Sequence, residues 1–264
     1  MKPDFFLANH RLFTREELAA ALPGRATATL DAHLARWQRQ GRIVRVKHGL
    51  YLRQDPAGSG VSALLPDFVA LAARMAPDAA AAYHTALEAH GCAQSVFERL
   101  TFVTWTRTRP VEFMGRALVP VRPRVPLRAR GGGEAWIERL DRGGLEVRVT
   151  SLERTVADVL DRPSLAGGVE EIWRSLSAVP ALDPVALLDY VEILGNRTLA
   201  ARVGFFLETR RAELAVPERL LERLQARAPR HPVYLDRARG GTLKPRWRLI
   251  VPDALAGLPE EGSA

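Results

Sequence analysis

Thiol chemistry is almost absent from this sequence. It holds one cysteine, Cys92, which excludes an intramolecular disulfide. Zinc ribbons and iron–sulfur clusters, which need several thiolates, are excluded with it. Lysine is nearly as scarce: Lys2, Lys47 and Lys244 are the only three among 38 basic residues. Arginine carries the positive charge as a general bias of composition, so its abundance alone is not read as phosphate binding. Apolar runs are short, none approaching the ~20 residues that cross a bilayer. No charged segment leading into an apolar one opens the chain, so no secretory signal is visible. These absences predict a cytoplasmic protein with no membrane partner.

What is present begins with size and charge. The 264 residues exceed the ~100–150 typical of one domain, so two are expected. A hydrophobic fraction of 47% is ordinary for a globular chain. The formal charge is +8 and the pI near 10.4, which suits a polyanionic partner. The excess is uneven. Residues 1–60 hold ten Lys/Arg against five Asp/Glu, whereas the remaining 204 hold 28 against 25.

Local patterns in that basic quarter are sharp. Thr14 can cap a helix running to about Ala21, with Glu17 completing a capping box. Leu22-Pro23-Gly24 then turns the chain into a second helix, from near Arg25 to Gly41, with Leu30, Leu34 and Trp37 on one face. Two helices joined by so short a turn make a helix-turn-helix. Ile43, Val44 and Val46, a turn at Lys47-His48-Gly49, and Leu50-Tyr51-Leu52 read as the hairpin of a wing. Asp55-Pro56-Ala57-Gly58-Ser59-Gly60 has linker composition. The expected domains are therefore a winged helix-turn-helix at 1–56 and a larger mixed domain at 61–264.

Beyond the linker, helices are expected at 66–75 and 79–90, and a strand at 100–105. Further strands are expected at 136–140 and 145–149. Thr150-Ser-Leu-Glu153 reads as a capping box opening a helix to Asp161. Helices at 169–178, 184–194 (capped by Asp183), 198–211 and 217–228 follow, with a last strand at 247–251. The fold class is α+β.

Six cations, Arg36, Arg39, Arg42, Arg45, Lys47 and Arg53, lie between Ala32 and Gln54 with no acidic residue among them. On a helical wheel Arg25, Ala28, Ala32, Arg36 and Arg39 point away from the Leu30/Leu34/Trp37 face. Small residues at 28 and 32 allow close approach to a groove, with arginines at its margins for phosphates. Thr27 and Thr29 lie at the helix end that enters the major groove. Arg45, Lys47 and His48 can reach the backbone or minor groove from the wing. The plain alternative is a solvated basic face.

Other chemistry-bearing residues form weaker patterns. His84 and Glu88 share a helix face as metal ligands can, but no second histidine completes the motif; packing explains them as well. Glu146-Val-Arg148 faintly resembles a nuclease strand without its lysine. Cys92 beside His90 makes no dyad by sequence adjacency alone. Gly167-Gly168 before a helix could cradle a phosphate, or simply turn. No catalytic, metal or cofactor site is expected.

Larger blocks carry a family resemblance. Phe13-Thr-Arg-Glu-Glu-Leu18, Leu34 through Gly41-Arg-Ile43, Val46 and Gly49-Leu-Tyr-Leu52 resemble the winged helix of AbiEi-type antitoxins. Tyr83-His-Thr-Ala-Leu-Glu88 with His90-Gly91 resembles that family's C-terminal region, as do Ser151-Leu-Glu-Arg-Thr155, Asp158, Arg162-Pro163 and Ala166-Gly-Gly168. Arg246-Trp-Arg-Leu-Ile-Val-Pro252 is similar to its closing strand. The resemblance implies a type IV toxin–antitoxin role. Such antitoxins bind inverted repeats in their own promoter, repress it, and counteract a nucleotidyltransferase-like toxin. By that analogy the DNA-contacting positions are Arg25 to Arg39 with Arg45, Lys47 and His48. Two rival readings are a DNA-tethered enzyme, nuclease or nucleotidyltransferase-like, which would depend on Glu146 or Asp158, and a regulator whose second domain senses a small ligand.

Overall fold

The structure is a computed structural model that describes residues 2–54, 66–236 and 240–256; the linker at 55–60 lies outside them. The N-terminal module runs α1 (Pro3–Asn9), β1 (Leu12–Thr14), α2 (Arg15–Ala21), α3 (Thr27–Arg39), β2 (Ile43–Lys47) and β3 (Leu50–Arg53). Thr14 is both the last residue of β1 and the N-cap of α2, and its capping box with Glu17 is formed. Gly24 turns the chain at φ 79°, a conformation that costs glycine little. α3 starts at Thr27, two residues later than the pattern suggested, because Ala26 is still extended.

Leu18, Leu22, Leu30, Leu34 and Trp37 are buried together with Phe6, Phe13, Ile43 and Tyr51. Fully burying such side chains contributes about 1.5–3 kcal/mol each. Phe6 and Leu7 anchor α1 in this core, while Phe5 is exposed. β1 was not expected from the sequence. It pairs with β3, aligning Phe13 with Tyr51, and makes the hairpin a three-stranded sheet in the order β1-β3-β2.

The second domain opens with α4 (Phe68–Ala73), β4 (Ala80–Ala81), α5 (His84–Ala89), β5 (Arg99–Val103), β6 (Val111–Phe113), β7 (Arg116–Val121), β8 (Ile137–Asp141) and β9 (Glu146–Thr150). Its sheet has the order β6-β7-β5-β4-β9-β8, with β5–β7 and β4–β9 parallel. Then come α6 (Leu152–Asp161), α7 (Val169–Ser177), α8 (Pro184–Leu194), α9 (Arg197–Thr209) and α10 (Glu218–Ala226). The strands β10 (Val233–Tyr234), β11 (Thr242–Lys244) and β12 (Leu249–Val251) form a small second sheet, and α11 (Asp253–Ala256) follows. The α+β class expected from the sequence is the class observed. Among the described residues, no helix is long and apolar enough to cross a membrane.

Several expected elements are corrected. The helix expected at 79–90 is split: Ala80–Ala81 is a strand at the centre of the sheet, and α5 begins only at His84. Tyr83, between them, sits at φ 55°, ψ −131°, which no helix continues through. The hairpin β6–β7 is not among the expected elements; its second strand contains Pro120. Pro120 is tolerated because β6 pairs with β7 only as far as Leu118, so no neighbour on that side needs an amide proton from residue 120. The cap of α6 is Ser151, whose hydroxyl accepts from the Arg154 amide. Thr150 belongs to β9, and its hydroxyl lies 2.7 Å from that of Thr155.

The two parts of the chain share a core. Leu12, Val46, Leu50 and Leu52 of the wing pack with Phe68 and Leu71 of α4 and with Leu100, Phe102, Val147 and Val149 of the large sheet. The remaining helices pack into a separate core around Leu160, Trp173, Tyr190, Phe206 and Trp247. Gly204 in α9 lies flat against Trp247, leaving no room for a side chain: a Cβ there would overlap the indole ring.

Candidate nucleic-acid interface

α3 presents two different faces. Leu30, Leu34 and Trp37 point inward, and Ala28, Ala32, Ala35, Arg36 and Arg39 lie outward in solvent. Arg25 and Thr27, at the entry of the helix, are exposed, and Thr29 is half-buried. Ala26 supplies no side-chain cap, so no side-chain oxygen competes with an anion for the first amides of α3. Arg45 of β2 and His48 of the hairpin turn are exposed as well.

Arg25, Arg39 and Arg45 make no hydrogen bond or ion pair to a carboxylate among the described residues, and Arg36 places Nη2 3.1 Å from Nδ1 of His33 while its charge also reaches Asp4. A positively charged side chain held without a counter-charge is available to an outside anion. α3 does carry one exposed carboxylate, Asp31, which the charge pattern did not single out. Arg15 clamps it with two bonds, Nε at 2.8 Å and Nη2 at 3.1 Å. This pair ties α2 to α3, removes a repulsive charge from the outward face, and holds the Asp31 carboxyl below its ordinary range.

Three cations of the 32–54 stretch are placed otherwise. Lys47 is half-buried, and its ammonium donates to the Met75 carbonyl of the second domain at 2.6 Å. Burial lowers its pKa, with Glu16 opposing. Arg42 donates to Asp4 of α1 at 2.7 Å, and that bond depresses the Asp4 carboxyl. Arg53 donates to the carbonyls of Leu7 and Ala8 at the end of α1. These contacts are long in sequence separation, so charge patterning alone gave no sign of them. The structure therefore brings Arg25, Thr27, Thr29, Arg36, Arg39, Arg45 and His48 to the α3 and wing surface and turns Lys47 toward the second domain. Arg74 of the second domain also pairs with Glu17. A cleft of about 550 Å³ remains between the hairpin turn and that domain, with Arg15, Lys47, His48 and Arg139 on its walls.

The residues considered for other chemistry are engaged structurally. His84 is buried with its Nε2 3.6 Å from Glu171 and its ring against Phe97. Among the described residues, no group of three metal-ligating side chains occurs. Glu146 pairs with Arg139 at 2.5 Å, and Arg148 with Glu134 at 2.7 Å. Asp158 is buried, accepting from Tyr190 at 2.8 Å and Arg154 at 3.2 Å. Burial pushes its carboxyl up, against the pull of Arg154. His90 bonds the Thr150 carbonyl at 2.8 Å, and the buried Cys92 thiol is pushed up by desolvation. Gly167 lies against the Phe97 ring, which would overlap any Cβ placed there, so close packing accounts for it.

Taken together, two helices joined by a short turn, a three-stranded sheet and an outward face rich in arginine form an N-terminal helix–strand region followed by a larger α+β domain. Residues 2–54 match the model of the family described as transcriptional regulator, AbiEi antitoxin. The resemblance read from Phe13 to Leu52 is thereby found over the same stretch, while the similar blocks of the second domain lie outside it. Among solved structures, the crystal structure of the RV2827C protein from Mycobacterium tuberculosis is similar: 16% identical, with a TM-score of 0.61, covering 94% of this chain and 89% of that one. At that identity the likeness shows a shared fold. A comparison with curated proteins finds no match.

Proposed function

We propose that the chain is a DNA-binding transcriptional autorepressor and the antitoxin of a type IV toxin–antitoxin pair. The observation that carries this reading is the outward face of α3, where Arg25, Arg36 and Arg39 flank a floor of alanines while Arg45 and His48 extend it from the wing. Alanines at 28, 32 and 35 let the helix axis approach a groove, and the uncapped N-terminus favours a phosphate there. Thr27 and Thr29 then meet base edges, and the arginines meet phosphates and fix the register.

One such module reads few base pairs. Two copies on an inverted repeat in the promoter of the chain's own gene, with half-sites one or more helical turns apart, supply the rest. The second domain counteracts a nucleotidyltransferase-like toxin and performs no catalysis of its own; the family match over residues 2–54 supports this antitoxin reading. The protein acts in the cytoplasm without a cofactor.

Gel-shift titration of the upstream DNA tests the reading. Arg36→Ala combined with Arg39→Ala is expected to abolish the shifted band at moderate salt while the protein stays folded. An unchanged shift would remove α3 from the interface. Co-expression with the product of the neighbouring gene tests the antitoxin half: loss of toxicity is expected with the full chain.

A further inference from the structure

The second domain holds a concentration of positive charge that its own packing does not require. Between the segment after β7 and the C-terminal end of α6 lies a cavity of about 450 Å³, lined by Arg122, Arg124, Arg162, Asp161, Asn196 and Leu194. Three guanidinium groups line it with one carboxylate, which Arg124 and Arg162 face. Asp161 is 2% exposed in its side chain and is occupied by others: Arg124 donates from Nε at 2.6 Å and Asn196 from Nδ2 at 2.8 Å.

Arg162 stands 3.8 Å from that carboxylate through Nε. Its other contacts are long bonds to neutral oxygens, the Tyr83 hydroxyl at 3.3 Å and the Arg122 carbonyl at 3.4 Å. A guanidinium has five N–H donors; both of these bonds use Nη1, so the Nη2 pair makes no hydrogen bond among the described residues while Arg162 lines the cavity. Arg122 is exposed and has no carboxylate partner among the described residues. One carboxylate against three guanidinium groups leaves the cluster with excess positive charge.

The surroundings are stiff. Pro123 and Pro126 fix the backbone of the segment carrying Arg122 and Arg124. Tyr83, which meets Arg162, is buried in a backbone conformation rare for a side chain other than glycine. Its hydroxyl accepts the 3.3 Å bond from Arg162.

We propose that this pocket binds a phosphate-bearing small molecule of nucleotide size. Arg122 and Arg162 take the phosphate through paired N–H donors, Arg124 is held in place by Asp161, and Pro126 and Leu194 offer an apolar wall to the remainder. The volume lies within the range of small-molecule sites. The site is separate from α3, so it stands or falls independently of DNA binding.

Isothermal titration of the full chain without DNA tests it, using ATP, pyrophosphate and adenosine as probes. ATP and pyrophosphate are expected to bind saturably and adenosine not to bind. Arg122→Gln with Arg162→Gln should weaken ATP at least about tenfold, and Arg122→Gln alone, on an exposed side chain, should weaken it measurably with unchanged thermal stability. Arg36→Ala with Arg39→Ala should bind ATP like the parent. The proposal is overturned if neither phosphate compound binds, if adenosine binds equally well, or if the α3 variant loses ATP while the pocket variant keeps it.

Discussion

Replacing Lys47 by methionine separates two roles that one lysine could play. The stem keeps its packing, but the ammonium leaves the Met75 carbonyl, to which it donates at 2.6 Å. A hydrogen bond from a charged donor contributes about 1.5–3 kcal/mol. Half-burial offsets part of this, because desolvation already disfavours the ammonium, so a net loss of about 1 kcal/mol is expected. For a chain of this size that lowers Tm by roughly 2–4 °C.

Burial also makes the folded protein release the Lys47 proton at lower pH than the unfolded chain, whose lysine keeps the ordinary value of 10.5. Between those two values the unfolded state binds more protons, so the contribution of Lys47 to stability rises with pH there and is flat below. The advantage of the parent over Lys47→Met should therefore widen as pH climbs toward 10.5. Urea denaturation at several pH values measures it. DNA affinity supplies the opposing readout. If the ammonium met a phosphate, its removal would reduce the salt slope by about 0.9; if it only tethers the wing to the second domain, the slope stays unchanged. An unchanged midpoint together with a reduced slope would refute the placement of Lys47.

Two further substitutions probe the second domain. Gly204→Ala drives a methyl into the fully buried Trp247, and overpacking of this kind is expected to cost about 1–3 kcal/mol or more, with a red-shifted tryptophan emission reporting the displaced indole. Arg154→Met leaves Asp158 buried without its cation, for which a loss of about 3–5 kcal/mol is expected; denaturant melts read it, and a loss below about 1 kcal/mol would show that the pair does not hold the domain together.

The helix-turn-helix was legible because its determinants are local. Thr14 and Glu17 cap within one turn, Pro23-Gly24 interrupts, and Leu30, Leu34 and Trp37 repeat at the helical period. β1 was not legible, since three residues carry no period of their own and Leu12–Thr14 is a strand only because β3 lies beside it. The alanines at 79–82 favoured a helix by propensity, yet the centre of a sheet accepts small residues buried on both faces.

The site divides along the same line. The outward position of Arg36 and Arg39 follows from the wheel. The diversion of Arg42, Lys47 and Arg53 to Asp4, Met75 and the end of α1 depends on partners 28 or more residues away. Nothing local to Asp31 marks it as neutralised, because its partner, Arg15, belongs to the preceding helix.

Fluorescence anisotropy of labelled upstream DNA across ~50–300 mM salt tests the central claim most directly. With Arg25, Arg36, Arg39 and Arg45 on phosphates, log K against log salt should fall with a slope of about −3.6 per module, or about −7 for two copies. Arg36→Ala, Arg39→Ala and Arg45→Ala together should remove most of it. A slope near zero, or one that the triple substitution leaves intact, would contradict the assignment of the α3 face to duplex DNA.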